Sequence, residues 1–512
     1  MGLTPKDNVA VKFTSDHPYI TAVAAGLIAL LLTGGQLPEN PVAVWCTTAA
    51  LAVFLVLFTI TLKIRQELTH KAWIVLIFAA GFALKLIYIL YTDVLSRQND
   101  VGTFEEGVYN LYHSGYILFV RDKMTLPDID VTKAGQFYHP PFHYIVSAAF
   151  LKIYELISGG RHNYESLQIL TLIYSTVSTT VAYKILTLFD LKENVLTSLA
   201  IVISFFPEFI LLAGSVNNDC LCVMLTFISF YLALRWYRSG RLSELAGSGI
   251  SAGLAMMTKM SAALIAVPLA VLFVARLIKS NEKIKVIGHT ALFALLAIPA
   301  GIWFPLRNLI RWNVPLGYVL KSENIYQDIS RFSVTDRLFG LYPVPVEDFF
   351  MNLGSDGQQD YNTTIALFKT AMFSEWNYRD SIALSLPGYF LLWVFIILVL
   401  LSLAGLVYML VTIRKRDYKT EELSIAVLFF TELVSYTTFC LKFPHICSMN
   451  FRYTVPLIIC GTYFAGRIAS SNDKTARILR ILAVSFAVLS AVFYILLFTY
   501  VKGEVIVSEV TW

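Results

Sequence analysis

Charge is what this chain has least of. Asp, Glu, Lys and Arg make up 15% of its 512 residues, where a soluble domain carries about 25%. So little charge cannot cover a surface that faces water on every side. Cysteine is scarce as well: the six present lie mostly inside apolar runs, which excludes a disulfide framework. Only Cys440 and Cys447 are placed to pair, and only if their loop is extracytoplasmic. The loops hold no His, Cys and Asp cluster at metal-ligand spacing. His113, His139 and His143 are near each other, so a divalent cation stays open, but interfacial hydrogen bonding is the plainer reading. No repeat relates the two halves, as an inverted-repeat transporter would require. The net charge of +5 is spread over short loops, which argues against a nucleic-acid surface.

What the chain has instead is apolar length. It is 57% hydrophobic with a mean hydropathy of +0.65. Apolar runs of about 18 to 25 residues recur from end to end, the length that spans a ~30 Å hydrocarbon core as a helix. They fall near 17–34, 41–62, 71–92, 139–158, 165–187, 194–213, 217–236, 243–258, 260–277, 285–306, 384–412, 420–440, 450–466 and 476–500. The first follows Lys6 and Lys12 but precedes Gly34-Gly35-Gln36-Leu37-Pro38, which offers no small-x-small cleavage site. It reads as a retained span.

Basic loops set the orientation, since cytoplasmic loops are rich in Lys and Arg. Lys63, Arg65 and Lys71 place the connection after the second run inside, so the segment after Thr92 is outside. Four later connections are basic: Arg235/Arg238/Arg241, Arg276/Lys279/Lys283/Lys285, Arg414/Lys415/Arg416/Lys419 and Arg467/Lys474/Arg477/Arg480. They can all be inside only if one run between 93 and 216 fails to cross. The weakest is 139–158, which opens His139-Pro140-Pro141-Phe142-His143 and contains Lys152 and Glu155. It is expected as an amphipathic juxtamembrane helix on the outer leaflet. The fold expected is an all-α polytopic membrane protein of about thirteen transmembrane helices, with long outer loops at 93–164 and 309–383.

Loops of that length carry function more often than linkage. The first begins Arg97-Gln98-Asn99-Asp100-Val101-Gly102 and continues to Glu105-Glu106. An Asp just past a membrane exit, beside an Arg, is placed to meet a phosphate-bearing headgroup and to act as general base; a solvated loop of mixed charge is the plainer account. Asn217-Asn218-Asp219 lies on the same side, where a turn and N-cap explain it as well as chemistry does. Lys259 stands between two apolar runs at the outer end, Arg307 at the outer end of its span, and Arg452 beside Tyr453. Each alone serves as an interfacial anchor; converging, they make a phosphate site. Lys85 lies inside the third span, where an ionisable group is either functional, paired or snorkelling.

In that order, Arg97–Gly102, His139-Pro140-Pro141, Asn217-Asn218-Asp219, Gly253…Thr258-Lys259 and Arg452-Tyr453 resemble the GT-C integral-membrane glycosyltransferases. Within them the chain is similar to family 39, the protein O-mannosyltransferase-like branch, and to its relative the lipid A aminoarabinose transferase. The resemblance covers about residues 70–470, so that 1–68 are two added N-terminal helices and 69–512 the transferase core. It implies a multi-pass enzyme of the bacterial plasma membrane, or of the endoplasmic reticulum in a eukaryote. It further implies a polyprenyl-phosphate-linked sugar as donor, and an extracytoplasmic protein, lipid or glycan as acceptor. On that likeness Asp100 is the base, and Lys259, Arg307, Arg452 and Arg97 bind the donor phosphate. Glu105, Glu106, His139, Asn218 and Asp219 are candidates for the acceptor or sugar. Asp100 is followed by Val101 where many protein O-mannosyltransferases have Glu, and no β-trefoil insert is present. A polysaccharide polymerase or ligase, and a lipid or solute transporter or flippase, are the competing readings.

Overall fold

In a computed structural model the described residues are 41–160, 162–321, 324–340, 349–352, 359–415 and 417–500. Among them the secondary structure is helical, with one isolated bridge between Asp328 and His445. Among the described residues ten helices are long and apolar enough to cross a membrane. Two more expected spans are helices of 15 residues, Leu242–Met256 and Leu457–Ser471, each about 22 Å long. The remaining expected span, 17–34, lies outside the described residues.

The elements begin and end where local chemistry dictates. Thr69 caps His70–Tyr91 by accepting from the Ala72 amide at 3.2 Å. The apolar run at 194–213 is two helices, Glu193–Ser204 and Pro207–Gly214. Proline has no N–H to give the preceding turn and is at home at the start of a helix. Phe206, in the break, stacks on Phe451 at 5.8 Å. Lys283–Trp312 runs 30 residues, about 45 Å, and so overshoots the hydrocarbon core.

The expected juxtamembrane segment is the 16-residue helix Phe142–Ile157. It buries His143, Tyr144, Ser147, Ala148 and Leu151, one face at helical spacing, and exposes Ile145, Ile153, Leu156 and Ile157. Such a helix has one side for protein and another for lipid.

The four basic connections gather at one end of the bundle. Arg238 meets Glu421 at 3.0 Å, Arg467 meets Glu422 at 2.9 Å, and Lys279 donates to Thr420 at 3.1 Å. Helix Asn218–Ser239 begins beside Asp219 and ends beside Arg238, about 28 Å apart along its axis. The loop residues singled out above therefore lie at the end opposite to the basic cluster.

Lys85 does not snorkel. Its ammonium is buried and donates to the Ser175 carbonyl at 3.2 Å and the Thr179 hydroxyl at 3.3 Å. An ammonium taken out of water costs free energy that two hydrogen bonds to neutral oxygens offset only in part. Lys85→Met is accordingly expected to keep or raise the thermal midpoint of the purified protein; a clear drop would show that these two hydrogen bonds stabilise the fold. Cys440 and Cys447 are both free thiols, and Cys440 donates to the Ser448 carbonyl.

Candidate functional site

Four charged residues from four separate stretches of sequence meet at one end of the bundle. Arg452 is the hub. Its Nη2 donates to Asp100 Oδ2 at 3.1 Å and its Nη1 lies 3.5 Å from Asp219 Oδ2. Lys259 donates to the other oxygen of Asp219, and its ammonium sits 4.8 Å over the Tyr453 ring. The chain of charges is Asp100, Arg452, Asp219, Lys259. Its middle is dry: the Arg452 and Asp219 side chains are 7% and 4% exposed, and Lys259 is 14% exposed. Asp100, at 40%, is the open end.

Local structure brings each member in. Arg97, Asp100 and Gly102 all have positive φ, at 51°, 59° and 71°, so the first long loop doubles back on itself. Asp tolerates that region better than most residues because its short side chain bonds locally. The Asp100 carbonyl accepts from the His113 amide at 3.1 Å. Gln98 then fastens this loop to the turn before Asp219: it donates to the Gly214 carbonyl at 2.7 Å and accepts from the Val216 amide at 2.9 Å. Asn217 caps its helix by accepting from the Asp219 amide at 3.0 Å. The capping and the charged contact therefore hold together. Asn218 donates to the Thr258 carbonyl at 3.2 Å, tying Lys259 to the same turn, and the Phe142 amide reaches the Met257 carbonyl at 3.0 Å. On the far side Asn450 accepts from the Arg452 amide at 3.0 Å, and Thr370 accepts from Phe451.

Three imidazoles line the adjoining wall. His113 and His139 stack at 5.7 Å, and His113 Nδ1 lies 2.8 Å from the Tyr144 hydroxyl. Both ring nitrogens of His143 are buried without a hydrogen-bond partner among the described residues. Burial pushes His113 and His143 down to about 3 and His139 well below the usual histidine range. All three are neutral at physiological pH, so they offer hydrogen bonds and no charge. Among the described residues no group of three His, Cys, Asp or Glu side chains is arranged to hold a metal ion.

The other residues singled out from the sequence are engaged elsewhere. Arg307 donates to the Pro127 carbonyl at 2.8 Å and to Asp128 at 3.1 Å, and Arg311 bonds the same carboxylate. The overshooting helix thus props the first loop. Arg97 donates to the Thr92 hydroxyl at 2.6 Å and lies against Tyr88. Glu106 makes a two-pronged pair with Arg121 at 2.6 and 3.1 Å. The Arg121 side chain is 3% exposed and also meets Asp122 and Glu155. Glu105 is exposed. Arg121→Met is expected to lower the thermal midpoint, because three carboxylates lose one guanidinium. Thermal unfolding of the variant beside the wild type will check this, and an unchanged midpoint would mean that the cluster adds nothing to stability.

One acid at this end carries no sequence signal. Glu375, partly buried just beyond helix Thr363–Phe373, lies within electrostatic reach of Arg452 and Asp100; desolvation, opposed by Arg452 and helped by Asp100, pushes its carboxyl up to about 7. Nothing in the spacing of Ser374-Glu375-Trp376 ties it to a loop 275 positions earlier.

Residues 138–303 match the model of a family described as dolichyl-phosphate-mannose-protein mannosyltransferase. That stretch contains His139, Asn218, Asp219 and Lys259, and it bears out the resemblance seen in the order of motifs. No curated protein matches the chain. It is similar to two crystal structures of ArnT from Cupriavidus metallidurans, at 12% identity and over 83% of this chain. One, in the apo state, has a TM-score of 0.40 over 76% of its chain. The other, bound to undecaprenyl phosphate, has a TM-score of 0.38 over 78% of its chain.

Proposed function

We propose that this chain is a glycosyltransferase that moves a sugar from a polyprenyl-phosphate-linked donor to an extracytoplasmic acceptor, with inversion at the anomeric carbon. The observation that carries the reading is the Asp100–Arg452–Asp219–Lys259 chain of charges at the end of the bundle opposite its basic loops. The family match over 138–303 supports it. In this reading residues 69–512 form the core and 1–68 an addition to it.

Polyprenyl phosphate is already a good leaving group, so the protein has to hold the phosphate, exclude water and align the acceptor. Lys259 and Arg452 hold the phosphate, with Arg307 and Arg97 as outlying cations. The acceptor oxygen or nitrogen forms a bond to the anomeric carbon as the bond from that carbon to the phosphate oxygen breaks. The acceptor proton passes to Asp100.

The resting ion pairs suggest an order. Asp100 and Asp219 already neutralise both cations. Asp219, buried between them, stays as their anchor; Asp100, the exposed member, is the one an incoming phosphate displaces from Arg452. Donor binding therefore frees the base that the acceptor needs.

The test is to supply purified, reconstituted protein and membrane extract with a panel of radiolabelled polyprenyl-phosphate-sugars, and to determine the anomeric configuration of any product. Transfer from one donor with inverted configuration is expected. A product of retained configuration would remove the single-displacement step, and transfer of oligosaccharide only would favour the polymerase or ligase reading.

A further inference from the structure

The basic end of the bundle holds a cavity that the transfer reaction does not use. It measures about 200 Å³ and is lined by Asn194, Asp473, Ala476, Arg477 and Arg480. All but Ala476 are exposed, so the cavity opens at the surface. Helices Glu193–Ser204 and Asp473–Leu496 both begin there, and a helix N-terminus favours an anion. Asn194 uses its side-chain oxygen to accept from the Val195 amide at 2.9 Å, which leaves its amide nitrogen to donate. Asp473, the carboxylate in this lining, is paired with Lys192 at 2.7 Å. Arg477 and Arg480 have no hydrogen bond or ion pair among the described residues. The lining therefore offers two uncommitted guanidiniums and an amide, beside an acid that is already neutralised.

The helix that carries both arginines decides what lies beyond the opening. Asp473–Leu496 has 24 residues and is about 36 Å long. It is longer than the ~30 Å hydrocarbon core, so its first turns reach headgroup depth. At about 3.6 residues per turn, Arg477 and Arg480 share one face with Ile481, Val484, Val488 and Val492. All four of these apolar side chains are exposed, and in a bilayer such a face meets lipid. A lipid-facing stripe headed by two guanidiniums is complementary to an amphiphile with an anionic head. Arginine also matches the geometry of a phosphate, which it can grip with two N–H groups at once.

We propose that this cavity binds the headgroup phosphate of an anionic glycerophospholipid, with an acyl chain lying along Ile481, Val484 and Val488. Charge selects the occupant. Basic loops mark the cytoplasmic side of a membrane, where the leaflet carries anionic lipid. A zwitterionic lipid brings a cationic amine toward two guanidiniums, and free phosphate gains nothing from the apolar stripe. The site lies at the end opposite the Asp100–Arg452–Asp219–Lys259 charges, so it stands whether or not the donor reading does.

The experiment titrates the full chain, in a neutral detergent, with radiolabelled phosphatidylglycerol and, separately, with phosphatidylcholine. Saturable binding of phosphatidylglycerol is expected, with phosphatidylcholine much weaker and inorganic phosphate at equal concentration displacing neither. Arg477→Gln with Arg480→Gln should raise the dissociation constant for phosphatidylglycerol by roughly thirtyfold, at the usual contribution of a basic residue near anionic lipid. Lys283→Gln with Lys285→Gln removes the same charge from the same end of the bundle, on another helix, and should leave that constant unchanged. Thermal midpoints without added lipid check that both double variants are folded, and the wild-type comparison of lipids needs no variant. Equal affinity for the two lipids, or an equal loss in the two double variants, would reduce the arginines to ordinary surface charge and overturn the proposal. Displacement of phosphatidylglycerol by inorganic phosphate would overturn it too, by making this a site for the free anion.

Discussion

Asp100→Asn is expected to lower the turnover number for sugar transfer by about 10²- to 10⁴-fold, the usual contribution of a positioned general base, while donor binding holds or tightens. The asymmetry follows from the ion pairs. Asp100 pairs with Arg452, so in the proposed reading neutralising it removes a competitor for the phosphate as well as a base for the acceptor. The amide still accepts from Arg452 and keeps the loop in place. A merely structural role would lose binding and turnover together. Turnover number and donor dissociation constant, measured on the same preparation, separate the two. Unchanged turnover would pass the role of base to another acid, with Glu105, Glu106 and Asp219 next in order.

The second large effect is on stability. Asp219→Ala leaves Lys259 and Arg452 without their shared carboxylate, in a region where the Asp219 side chain is 4% exposed. Removing one partner of a buried ion pair costs about 3–5 kcal/mol because the charge left behind is uncompensated. Here Lys259 is left without that carboxylate, facing an Arg452 that keeps only Asp100. The variant should show a much lower thermal midpoint in detergent and no transfer at any donor concentration. A midpoint equal to that of the wild type would mean that water reaches this site freely, and the dry phosphate pocket would have to be abandoned.

Much of the architecture is legible in the sequence because the bilayer imposes it. Long apolar runs, and basic residues at alternate ends, fix which residues share a side of the membrane. That is how Asp100, Asp219, Lys259, Arg307 and Arg452 come to be grouped without coordinates, and why 139–158 stands out as the run whose sequence least suits a crossing. Depth along a helix is readable in this way; direction around its axis is not. Arg307 has the right depth but turns to Asp128, and Lys85 has its partners on a neighbouring helix at Ser175 and Thr179. Glu105 and Glu106 are consecutive, chemically equivalent and both exposed, yet Glu106 is the one locked on Arg121.

The break at Phe205-Phe206 escapes hydropathy for a different reason. Both sides of it are apolar, so the run reads as one span; only Pro207 marks the interruption. The break matters because Phe206 supports Phe451, the neighbour of Arg452. Glu375 is the hardest case. It is brought in by the positive φ of Ser374 and the packing of the 450–453 turn, neither of which leaves a pattern in the residues around it.

The most direct test of the account follows the label in sealed proteoliposomes loaded with a polyprenyl-phosphate-linked radiolabelled sugar and an acceptor extract. The expected result is label leaving the lipid for an acceptor with the wild type, and staying on the lipid with Asp100→Asn. Label that remains on the lipid with the wild type, yet crosses from one leaflet to the other, would contradict a glycosyltransferase and identify a carrier of lipid-linked sugar.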